Sequence, residues 1–222
     1  MAPQGMTRAA APISASAIGV LDQCAQPEGK RALTEAIISP DNSRDGLLKV
    51  AAAGVLSGIL TPLLVPLIDY IDGTSGDFRI AMVAMPFAAL VVIVVRRCSA
   101  NPWWAALLAA LVTLIAFVCA VNAAIWIDGQ VADSSKVVRN ILSGLAGGFT
   151  GAAIMAIGIA LLPSGPRDAL PWLPMVLTGT LGGALLALDN ALDLDLTSVL
   201  YPAWQAGVAV RLVQALRRTK RS

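Results

Sequence analysis

The chain has 222 residues, 57% of them apolar and only 14% charged, with a net charge of +2 and a mean hydropathy of +0.74. A soluble domain is about 45–50% apolar and about 25% charged, so this composition excludes an ordinary water-surrounded domain and points to lipid. The absence of histidine removes histidine-ligated haem and metal sites and Ser-His or Cys-His catalysis, and no basic stripe with interleaved aromatics marks a nucleic-acid reader.

Residues 1–46 differ from the rest. The first 21 are rich in Ala, Ser and Pro, and the following Asp22-Gln23-Cys24 fits neither a secretory cleavage site nor a lipoprotein site. A cytoplasmic start is expected. Over 27–38, Leu33, Ala36 and Ile37 share one face while Lys30, Arg31 and Glu35 take others, which predicts a short amphipathic helix on the membrane surface or on the bundle. Ser39-Pro40-Asp41-Asn42-Ser43 should break it.

Six apolar runs follow, at 47–71, 80–95, 103–127, 141–162, 170–188 and 196–216. About 20 apolar residues cross a bilayer core of roughly 30 Å, so each run reads as a spanning helix. The strands of a barrel would appear as alternating runs of about ten residues. The last run carries Arg211 and is the weakest of the six. The expected fold is therefore an all-α polytopic transmembrane bundle of about six spans. It comprises a cytoplasmic segment 1–46, a membrane domain 47–216 and a basic tail 217–222.

Loop charge orients the bundle. Arg96 and Arg97 follow the second run, and Arg217, Arg218, Lys220 and Arg221 follow the sixth. Asp69, Asp72 and Asp77 follow the first run, and Asp189, Asp193 and Asp195 the fifth. Asp128 and Asp133 balance Lys136 and Arg139, and Arg167 balances Asp168. The basic side is cytoplasmic, so both termini are inside. Trp103, Trp104 and Trp172 at one boundary and Tyr70, Trp126 and Tyr201 at the other form the two interfacial belts.

Small residues recur four apart. Ser143, Gly147 and Gly151 line one stripe of the fourth run, with Gly144, Gly148 and Ala152 on the adjacent one. Gly179 and Gly183 pair in the fifth run, and Gly54, Ser57 and Gly58 mark the first. Such stripes let helix backbones approach closely, or give a smooth pore lining. Pro62 and Pro66, beside Thr61, are the best candidates for a functional kink, because an interior proline frees a carbonyl and bends the helix. Gln205 is the one amide deep in a run, and it sits in the distinctive Tyr201-Pro202-Ala203-Trp204-Gln205.

Val55-Leu56-Ser57-Gly58 resembles Ile141-Leu142-Ser143-Gly144, as an inverted three-plus-three repeat would require. Cys24, Cys98 and Cys119 form no CxxC pair and are expected free. The outer aspartates match no calcium loop and read as a topology signal.

No constellation supplies a nucleophile with its base or a metal cluster. The expected function is that of a non-enzymatic membrane component without cofactor: a complex subunit, assembly factor or regulator. The alternative is a small channel or facilitator for a neutral or weakly polar solute. The partners implied are the lipid bilayer and other membrane subunits or further copies of the chain, with no nucleic acid. The Ala-, Val- and Leu-rich composition suits a bacterial inner membrane.

Overall fold

The structure is a computed structural model and describes residues 40–72, 77–192 and 198–219. Among these residues every regular element is a helix. In hydrocarbon, each backbone N–H and C=O must find its partner within the protein, and a helix does so locally. The elements are α1 (Pro40–Asp72), α2 (Asp77–Val83), α3 (Met85–Cys98), α4 (Trp103–Gln130), α5 (Lys136–Ala160), α6 (Leu173–Gly183), α7 (Leu185–Ala191) and α8 (Leu200–Thr219). Gly46–Ser222 forms one compact unit; of the other, Met1–Asp45, only residues 40–45 are described. The amphipathic segment 27–38, Cys24, Asp193, Asp195 and the last three residues lie outside the described residues, as do the side chains of Asp69, Asp72 and Asp77.

Three helices hold stretches long and apolar enough to cross a membrane: Arg44–Ile68 within α1, Trp103–Gln130 and Lys136–Ala160. Of the other three runs, two are divided where single rods were expected. Run 80–95 is divided between α2 and α3, with Pro86 in the first turn of α3 rather than inside a helix. That position suits proline, whose missing N–H is not needed there. Run 170–188 is divided at Ala184, directly after Gly182-Gly183, and the Ala184 amide donates to the Leu181 carbonyl in a tightened turn. Run 196–216 is taken up by α8, whose described helix begins at Leu200.

From Pro40 onward, Ser39-Pro40-Asp41-Asn42-Ser43 forms the first turn of α1; Ser39 and the segment that the expected break would end lie outside the described residues. Proline is favoured at that position for the same reason as in α3.

The helices are inside-out by the standard of a water-soluble bundle. On α1, Gly54, Ser57, Gly58 and Thr61 are buried at helical spacing, while Val55, Leu56, Ile59, Leu60, Leu63 and Leu67 are exposed. On α4, Ala105, Ala106, Ala109, Thr113 and Ala116 face inward, and Leu107, Leu108, Leu111 and Ile115 face outward. Water would reverse this arrangement, since exposed apolar patches of such extent are rare on soluble monomers. Lipid permits it, because in lipid helices associate through close packing of small residues.

The core centres on α3 and α8. Phe87, Val91, Val94 and Val95 of α3 meet Trp204, Val208, Leu212 and Val213 of α8, with Met155, Ile159 and Met175 beside them. Phe87 and Trp204 are tilted rings 5.7 Å apart.

The two ends of the bundle are stapled differently. At one end, buried Asn101 accepts from the Ser164 amide at 2.9 Å and donates to Ser99 Oγ at 2.9 Å, tying the α3–α4 connection to the α5–α6 connection. There Arg96 donates to the Asn101 carbonyl at 2.7 Å and lies 4.7 Å from the centre of the Trp103 ring. At the other end, Arg139 forks onto Asp128 at 3.1 and 2.6 Å, closing the turn between α4 and α5. Two charges that cancel in the loop count thus form one ion pair. Cys98 and Cys119 are free and half-buried.

Candidate functional site

The candidate residues gather into two groups, one on each side of α8. On the α1 side, Gly54 and Gly58 lie directly against the backbone of Ala206 and Pro202, so a Cβ at either position would overlap main-chain atoms. Between and beyond them, Ser57 Oγ donates to Gln205 Oε1 at 2.5 Å, Gln205 Nε2 donates to Thr61 Oγ1 at 2.9 Å, and Thr61 Oγ1 donates to the Ser57 carbonyl at 3.1 Å. Ser57 is 5% exposed, and Thr61 and Gln205 are 0% exposed. The amide and both hydroxyls therefore satisfy one another away from solvent, which is the condition for burying them at all.

Pro62 is half-buried and Pro66 exposed, and α1 runs unbroken through both as a single 33-residue helix. They do not divide it.

On the other side, the two stripes of α5 serve different neighbours. Gly144 and Gly148 meet the carbonyls of Gly183 and Gly179 on α6, and Ala152 meets Gly179. Gly147 and Gly151 face Ala120 and Ala124 of α4; a Cβ on Gly147 would be 2.9 Å from the Ala120 carbonyl oxygen, and one on Gly151 3.1 Å from the Ala120 Cβ. Trp204 reaches from α8 to this crossing, where its indole N–H donates to the Gly179 carbonyl at 3.0 Å. The quartets of the suspected repeat have unlike partners: Gly58 rests on α8, Gly144 on α6. An inverted repeat would pair α1–α8 with α5–α4, whereas the atoms nearest Gly144 belong to Gly183 and Leu186.

The pentapeptide 201–205 is the hub that sequence reasoning singled out without assigning a role. Tyr201 lies near Phe117 of α4, with ring centres 6.2 Å apart. Pro202 backs Gly58, Trp204 bonds to α6, and Gln205 bonds to α1. Four of these five residues, with Trp204 also against Phe87 of α3, thus join α1, α3, α4 and α6 to α8.

Two buried polar residues lie outside the expected set. Asn101 is the staple described above. Asp189, read in sequence as a solvated topology signal, is buried and caps α8: it accepts from Ser198 Oγ at 2.5 Å, the Val199 amide at 2.9 Å and the Leu200 amide at 3.2 Å. The sequence signal available was Ser198 itself, a favoured helix-start residue; its partner nine residues earlier has no local signature. Arg211 is exposed, donating to Thr178 Oγ1 at 3.3 Å and Gln214 Oε1 at 3.1 Å.

A half-open cleft of about 220 Å³ lies between α4, α5, α7 and α8, floored by the glycines of α5 and walled by Phe117, Leu186, Tyr201 and Trp204. Ser143 lines it. Among the described residues, no three potential metal ligands converge. In comparisons with family models, curated proteins and solved structures, nothing matches this chain, so its function is argued from its own residues.

Proposed function

We propose that this chain is a six-span membrane protein with both ends in the cytoplasm, and that it works as a non-enzymatic component of the membrane: a subunit, assembly factor or regulator acting through helix packing. Six spans are supported by α2 with α3, α6 with α7, and the 20-residue α8. At 1.5 Å per residue, each of these amounts to about 30 Å of helix, a bilayer core. The orientation is supported by Arg96 and Trp103 packed together at one end, where arginine stems and indoles favour the interface. It is supported further by Arg217 and Arg218 in the last turn of α8.

The observation that carries the functional reading is the Ser57–Gln205–Thr61 ring. These are the polar side chains a permeating solute would need, and they are turned toward one another. Gly148, the smooth element such a path would use, is filled by the Gly179 carbonyl. A facilitator for a neutral solute, the alternative, would require both contacts to open.

Flux separates the two readings. Purified chain reconstituted into liposomes should pass glycerol and urea no faster than empty liposomes in a stopped-flow swelling assay. Flux above that baseline would replace the subunit reading with the facilitator.

A further inference from the structure

Arg167 and Asp168 stand apart from the charges that hold the bundle together. Arg96, Arg139 and Asp189 are each spent on a hydrogen bond or an ion pair within it. Arg167 and Asp168 are sequence neighbours of opposite sign in the α5–α6 connection. Both are exposed, and neither forms an ion pair or side-chain hydrogen bond, with the other or with any other residue. Both line a groove of about 540 Å³ between α5 and α6. The rest of its lining is hydrocarbon, from residues such as Phe149, Ala153, Ile157 and Leu161. Trp172 is the exception, and its indole N–H is already donated to the Pro166 carbonyl at 3.0 Å.

We propose that this groove holds a phosphatidylethanolamine molecule, with an acyl chain laid between α5 and α6, the phosphate on the Arg167 guanidinium and the primary ammonium on the Asp168 carboxylate. Charge argues for the headgroup. A free arginine alone would suit any phospholipid, because guanidinium and phosphate match in charge and shape. The free carboxylate beside it makes the site neutral and supplies an acceptor for a cation that carries N–H donors. A zwitterion ending in a primary ammonium satisfies both groups at once. Phosphatidylcholine has no N–H to give, and a net-anionic lipid gains nothing from Asp168.

Size and depth argue for the chain. The volume lies within the roughly 300–1,000 Å³ of sites that enclose a small organic molecule. From Leu161 beside the charged end to Phe149, the groove follows α5 for about 18 Å at 1.5 Å per residue, close to the roughly 15 Å of hydrocarbon in one leaflet. Ile157 and Leu161 are 63% and 68% exposed along it, surface that an acyl chain would cover. The charged end is also the end that carries interfacial groups. Arg167 follows Ser164 by three residues, and Ser164 is bonded to Asn101, beside Arg96 and Trp103. The inference rests on lipid around the bundle; it depends neither on which end is cytoplasmic nor on the flux result.

The test titrates delipidated full-length chain with dimyristoyl phosphatidylethanolamine, phosphatidylcholine or phosphatidylglycerol, which share their chains and differ only in headgroup. Native mass spectrometry reads the first bound lipid. Phosphatidylethanolamine should bind about fivefold tighter than either of the others, the upper value of one solvent-facing ion pair. Asp168→Ala should bind phosphatidylethanolamine and phosphatidylcholine alike, and Arg167→Gln should weaken both. Ala153→Phe, which fills the groove from α5, should weaken all three lipids without changing their order. Equal affinity of the wild type for phosphatidylethanolamine and phosphatidylcholine would overturn the proposal, as would a preference that survives Asp168→Ala. Tighter binding of phosphatidylglycerol would overturn it in favour of an anionic-lipid site. Arg167 and Asp168 are exposed and unbonded, so their variants should fold, and they decide the matter if Ala153→Phe does not.

Discussion

Gly148 shows at one residue why the small stripes exist. Its neighbour on α6 is a carbonyl oxygen, not a side chain that could rotate aside. Any Cβ must move a helix backbone, and overpacking against rigid neighbours costs about 1–3 kcal/mol and at times more. Gly148→Leu should therefore lower the thermal stability of the detergent-solubilised chain by about 3 kcal/mol or more and cut its folded yield, read by size-exclusion with a melting ramp. Wild-type yield and melting would contradict tight packing at that crossing. The spacing of the glycines was legible in sequence, because four-residue periodicity places them on one helix face. Which helix each stripe meets was not, since Gly147 and Gly148 are adjacent in sequence and serve α4 and α6 respectively. Gln205 was legible as an oddity, an amide in an apolar run; its partners on α1 stand 144 and 148 residues away.

At the scale of elements, the start of α8 depends on a residue of α7. Asp189 takes the Val199 and Leu200 amides and the Ser198 hydroxyl at the positive end of the helix dipole. Asp189→Ala strips that cap and should cost about 1–2 kcal/mol, whereas Asp189→Asn, which keeps one acceptor oxygen, should cost less; thermal unfolding of the two variants measures both. An alanine variant that melts with the wild type would show the cap to be idle.

The helix breaks at Ala84 and Ala184 were hidden in sequence for a related reason. Each apolar run is continuous in hydropathy, and a one-residue interruption changes nothing that a long window can detect. α8 was the weakest span to read because Arg211, Arg217 and Arg218 dilute its apolar face. It is nonetheless among the most buried helices, with Val208, Leu212 and Val213 fully enclosed, because the helices around it cover that face while Arg211 turns outward.

Over the whole molecule, the inversion of α1 and α4, with small residues inside and leucines outside, is the physical sign of a hydrocarbon surround. It was foreshadowed by composition, which registers the excess of apolar side chains without saying where they point. The two stapled ends give that surround two interfaces. On the six-span proposal, Asn101 with Ser164, and Arg96 with Trp103, would lie at one; the Asp128–Arg139 pair would lie at the other.

Cysteine labelling in intact cells tests this directly, using single cysteines at Ala100, Ser134 and Asp168 in a chain whose own three cysteines are replaced by serine. A membrane-impermeant maleimide should modify Ser134→Cys without permeabilisation, and Ala100→Cys and Asp168→Cys only after it. Labelling of all three positions from the same side would contradict a bundle that crosses the bilayer between them.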